Sequence, residues 1–129
     1  MKRICGLYVL CLLALTSASC QKNFNHYREL IYGKWELVSE NDRVPKNPDR
    51  LFFKTSTAVT LSHEGVDYEG QYQFYCNVLT TRFEKKQDLF QEWRVETLQD
   101  SLMIAVVELC TTTEGEQEPG AVLEFRKLP

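Results

Sequence analysis

This sequence is poor in the residues that do chemistry. Its only histidines are His26 and His63, and past the first nineteen residues no two Cys or His lie close enough in sequence to suggest a zinc site. It has no Gly-rich phosphate loop and no nucleophile elbow. Asp67, Glu69, Glu92 and Glu96 fall on predicted solvent faces, where carboxylates keep a wall soluble. His26, in a helical lead-in, and His63, on the turn "SHEG", read as surface residues. These absences predict a non-catalytic protein with no cofactor and no metal. A good spanning helix is lacking as well, since crossing a bilayer takes ~20 consecutive, predominantly apolar residues. The one long apolar run, Ile4 to Leu15, is shorter and starts almost at the N-terminus.

That run has a different explanation. "MKR" supplies two positive charges, "ICGLYVLCLLAL" an apolar core, and "TSAS" a stretch of small residues, the order of an export signal. Cleavage before Cys20 sets Ser17 and Ser19 at the positions where export peptidases need small side chains. An ordinary secretory peptidase could cut at the same place, and an uncleaved anchor is the remaining alternative. Cys20 favours a third reading, because the stretch resembles a bacterial lipoprotein signal, with Ser17 where most such signals carry Leu. The resemblance implies a thioether-linked diacylglycerol on Cys20 and a membrane partner reached through it. Buried acyl methylenes contribute ~0.8 kcal/mol each, so a multiply acylated terminus holds firmly. "CQKNF" has no Asp beside the cysteine and no acidic run after it, which points to an outer membrane lipoprotein facing the periplasm.

Taking residues 1–19 from the 129 leaves a mature chain of 110, suited to one domain with one modest core. Loss of Lys2 and Arg3 leaves 13 basic residues against 18 acidic, a net charge of −5. That disfavours nucleic acid and anionic lipid surfaces as partners, since both require a basic footprint. With Cys20 taken by lipid, Cys76 and Cys110 are the available disulfide pair in an oxidising compartment. Two buried thiols are the alternative.

Apolar residues beyond Gly33 recur mostly every second position, the spacing of half-buried strands. "GKWELVSE" sets Trp35, Leu37 and Ser39 on one face, and "TAVTLSH" offers Val59 and Leu61. In "VDYEGQYQFYC", Val66, Tyr68, Tyr72, Phe74 and Cys76 oppose Asp67, Glu69, Gln71 and Gln73. "LFQEWRVETL" turns Leu89, Trp93 and Val95 inward, "SLMIAVVELC" is apolar on both faces, and "AVLEFRKL" buries Leu123 and Phe125. Together with "RLFFK" and "NVLTTRF" this makes about eight short strands with short connections. An all-β antiparallel barrel or sandwich satisfies such a pattern, and closure removes exposed edges. "NFNHYRELIYG" is the one helical candidate, a short cover ended by Gly33.

These residues resemble a known family. A short helix followed by "GKW" looks like the Gly-x-Trp opening of lipocalins. "WRVETLQDSL" and "FRK" look like the terminal hairpin and last strand of the lipocalin-like domains of bacterial lipoproteins. The resemblance spans Gly33 to the C-terminus and implies an up-and-down barrel over residues 33–129, preceded by a leader (1–19) and by a lipidated tether and helix (20–32). It makes Gly33, Trp35 and Arg126 the barrel signature, with Arg126 stacked over Trp35. Strict alternation from Phe125 points Arg126 outward unless a bulge intervenes.

What is left to carry function is the inner face. Tyr68, Tyr72, Phe74, Trp93 and Phe125 are the candidate lining of a pocket for a small lipophilic ligand. An eight-stranded barrel can instead be filled by its own side chains. In that case function moves to the loops, such as Asn41–Arg50 and Thr111–Gly120, and to a protein partner in the cell envelope.

Overall fold

The computed structural model describes residues 23–129. The expected leader and the expected lipid on Cys20 lie outside the described residues. A short helix, α1 (Tyr27–Leu30), leads into β1 (Gly33–Glu40), β2 (Arg50–Phe53), β3 (Ala58–His63), β4 (Val66–Tyr75) and β5 (Val78–Phe83). Then follow β6 (Leu89–Leu98), β7 (Leu102–Thr112), the short β8 (Gly115–Gln117) and β9 (Val122–Lys127). Neighbours in sequence pair antiparallel from β1 to β7; β9 then bridges β7 and β1 and closes the ring. The barrel thus has eight strands, while β8 folds back on the far end of β7 as an added hairpin arm. The antiparallel up-and-down barrel expected from the sequence is the fold.

Alternation builds its interior. Trp35, Leu37, Leu51, Phe53, Val59 and Leu61 line one side of the core, and Tyr72, Leu79, Phe83, Trp93 and Phe125 the rest. Burying such a side chain is worth about 1.5–3 kcal/mol. Three bulges break the alternation. Pairs Leu37↔Phe125 and Ser39↔Glu124 leave Val38 unmatched, so Glu40 comes to lie opposite inward-facing Leu123. Glu92↔Leu109 and Trp93↔Val107 leave Glu108 extra, so Val107 and Cys110 are both buried although three residues apart. Glu96 is extra in the same way, which buries Leu98 after Val95.

One end of the barrel is shut. Tyr27 and Ile31 bury against it, and the Trp35 indole N–H donates to the Ile31 carbonyl at 2.8 Å. Lys127, not Arg126, completes the closure: its Nζ lies 5.3 Å from the Trp35 ring centroid and donates to the Leu30 carbonyl at 3.4 Å. Arg126 is exposed and faces Glu124 at 3.7 Å. The reason is plain alternation: Phe125 points in, Arg126 out and Lys127 in again, opposite Trp35. Gly33 is required here, since its φ is +118° and a Cβ would stand 2.7 Å from Lys127 Cε.

Cys76 and Cys110 do not pair. Cys110 is a buried free thiol, whereas Cys76 is disulfide-bonded, so its partner is not Cys110. Strand register explains the separation. Cys76 follows β4 at the shut end, in a turn with φ 55°, and the next strand level there is Val78↔Arg94↔Val106. Cys110 sits opposite Gln91, well toward the other end.

Candidate functional site: the open end of the barrel

At the end away from α1 the core leaves a cavity of about 200 Å³. Its apolar floor includes Leu37, Leu61, Leu123 and the rings of Trp93 and Phe125, which stack with centroids 5.5 Å apart and planes at 28°. Two unlike polar walls rise from that floor. On the β1–β3 side stand Glu40, Asp49 and His63. His63 Nδ1 lies 2.6 Å from Asp49 Oδ1, each side chain about one-third exposed, so the carboxylate fixes the imidazole. On the β6–β8 side, the Gln91 amide donates to Cys110 Sγ at 3.7 Å, and the thiol donates to Gln117 Oε1 at 3.6 Å. Lys86, in the turn between β5 and β6, extends this second wall at the rim.

One group in the floor lacks a partner. The Trp93 indole N–H is buried with no hydrogen-bond acceptor, as is the Thr81 hydroxyl one strand away. A buried donor left unmade costs about 1–3 kcal/mol, so each such group calls for an explanation.

The five expected lining residues are inward or half-inward but do not gather round one pocket. Trp93 and Phe125 line the open cavity. Tyr68 is only partly buried against the core. Tyr72 and Phe74 belong to the shut end: Phe74 packs on Tyr27 with centroids 5.9 Å apart, and the Tyr72 hydroxyl donates to the Thr55 carbonyl. Burial, with a smaller contribution from Tyr32, pushes the Tyr72 phenol up to about 12. Both rings instead border an outer groove of about 330 Å³ beside Arg28 and Tyr32. Barrel shear is the cause, since residues of the same inward row on different strands sit at different heights.

The cavity's polar residues were not singled out by sequence reasoning. His63 is a half-buried wall residue rather than a plain surface one. Gln91 carried a legible signal, a polar residue in the inward phase between Leu89 and Trp93. Glu40 and Cys110 owe their inward direction to bulges, which alternation does not reveal. Cys110 and His63 stand on strands four steps apart either way round the ring, and the thiol's partners are glutamines. They are not a nucleophile and its base. Among the described residues no three His, Cys, Asp or Glu converge as a metal site requires.

Fold and site together define a class: a closed antiparallel β-barrel with one end plugged by a helix and the other holding a small, polar-walled cavity. No protein-family model matches the chain, and no curated protein sequence matches it. Among solved structures, a redesigned β-barrel is similar over 79% of this chain and 95% of its own, with a TM-score of 0.49 and 9% identity.

Proposed function

We propose that this chain is an exported, lipocalin-like binding protein of the cell envelope. It is non-catalytic, tethered through lipid on Cys20 to the outer membrane on its periplasmic face, and holds a small ligand in the open end of the barrel. The observation that carries the ligand reading is the cavity itself: an apolar floor and a few convergent polar groups. Its volume narrows the ligand. A dry 150 Å³ cavity accommodates benzene, so about 200 Å³ suits a one- or two-ring molecule and not a lipid chain.

The anchor has its own test, because the mature chain contains only Cys20, Cys76 and Cys110. An acylated Cys20 carries a thioether, whereas an unacylated one keeps its sulfur for a thiol or a disulfide. Denatured mass spectrometry of protein purified from its own membranes separates them. Acyl mass on a peptide beginning at Cys20 supports the anchor, and Cys20→Ser then releases a folded domain into the soluble fraction. A Cys20–Cys76 linkage without acyl mass sinks it. Native spectra of the same sample report a non-covalent companion if the cavity is occupied.

A second reading, a protein-interaction or inhibitor module, is favoured by one observation. Val44, in the loop after β1, is 82% exposed, an apolar side chain open to a partner. Deleting 42–47 would abolish partner capture under that reading and leave ligand uptake intact.

A further inference from the structure

We infer that the cavity selects a small aromatic amine with an oxygen acceptor at the opposite end of the ring. This deepens the ligand reading above and rests on it. The two walls differ in what they offer. The β1–β3 wall presents the carboxylates of Glu40 and Asp49, the first turned to the cavity by the bulge at Val38 and the second fixed by His63. Both accept hydrogen bonds and both favour a cation. The β6–β8 wall is rich in donors. Cys110 uses one N–H of Gln91 and the Oε1 of Gln117, which leaves the second N–H of Gln91 and the amide N–H groups of Gln117. Lys86 adds a positive charge on the same side.

Between the walls lies an apolar slot floored by the stacked Trp93 and Phe125 rings. An oxygen on a ring seated in the slot accepts from the free amide N–H groups of Gln91 and Gln117 or from Lys86. A protonated amine at the other end of the same molecule meets the carboxylates. The opposite polarity, an anion toward β1–β3, would bring a negative charge against Glu40 and Asp49. An uncharged apolar guest makes neither the charge-assisted bond to the carboxylates nor the bonds to the amides, and so gains less affinity.

Four probes sharing one ring separate these cases: tyramine, p-cresol, 4-hydroxyphenylacetate and phenethylamine, titrated calorimetrically into the purified mature protein. Tyramine is expected to bind tightest, roughly tenfold over p-cresol as charge-assisted hydrogen bonds would give, with 4-hydroxyphenylacetate weakest. Phenethylamine, lacking the oxygen, should fall below tyramine. Glu40→Gln, at an exposed strand end, should collapse the tyramine-to-p-cresol ratio toward one. Gln117→Leu should preserve that ratio while shrinking the gap between tyramine and phenethylamine. If p-cresol equals tyramine, or the carboxylate binds best, the amine assignment is overturned and the ligand cavity survives. If none of the four binds, the cavity reading falls with it.

Discussion

Replacing Lys127 tests how the barrel is shut. Lys127→Met keeps most of the stem volume but removes the ammonium that sits over Trp35 and donates to Leu30. The cation–π contact is worth about 0.5–2 kcal/mol depending on desolvation. The 3.4 Å hydrogen bond to Leu30 is long and adds less than the ~1.5 kcal/mol of a good charge-assisted bond. A total loss of about 1–2 kcal/mol follows. With a urea m-value of about 1.5 kcal/mol/M, the unfolding midpoint should drop by roughly 1 M. Arg126→Met is the control. Its contact with Glu124 is a surface pair at 3.7 Å with both side chains well exposed, so the change should stay within about 0.5 kcal/mol. The same closure explains Gly33. Gly33→Ala is strained at φ +118° and drives a Cβ into Lys127 Cε, at about 1–3 kcal/mol. Removing the obstacle with Lys127→Ala should make that second substitution cheaper by about 0.5 kcal/mol or more, a coupling a double-mutant cycle reads directly. A larger loss from Arg126→Met than from Lys127→Met would refute the assignment of the stacking residue.

Other positions give sharp expectations. Gly70→Ala should be severe, because its Cβ would fall 2.4 Å from both the Arg82 carbonyl and the Phe83 ring, and a ladder carbonyl cannot yield. A cost near the ~3 kcal/mol upper end of overpacking should lower Tm by roughly 10 °C or more. Tyr72 makes stability fall at alkaline pH. Its folded pKa of about 12 exceeds the unfolded value of 10.0, so its contribution is complete below pH 10 and is lost as pH rises toward 12. Tyr72→Phe should flatten that part of the stability–pH curve, at about 1 kcal/mol for the orphaned Thr55 carbonyl, while leaving binding at the open end unchanged. An unaltered alkaline slope in the variant would assign it to another group.

Sequence alone determined an all-β fold of half-buried strands, which a barrel or a sandwich satisfies. Runs alternating every second residue, short connections and one helical lead-in leave few ways to bury an apolar face on each strand, and closure satisfies them all. It also determined which rings are interior, since Tyr72, Phe74, Trp93 and Phe125 obey the alternation and are buried. The resemblance named Arg126 for the place over Trp35, where the alternation that points Arg126 out puts Lys127 instead. Tertiary structure decided the height of each inward residue along the barrel axis, which depends on shear and not on local pattern. That is why Tyr72 and Phe74 pack at the plugged end while Trp93 and Phe125 floor the open one. It decided that Cys110 stays a thiol, through the distance in register between two strand ends. Finally, it brought Glu40, Asp49, His63, Gln91, Cys110 and Gln117 to one cavity. A bulge is a mismatch between two paired strands, so it belongs to neither strand's sequence, and the residues it turns inward become visible only once the strands are paired.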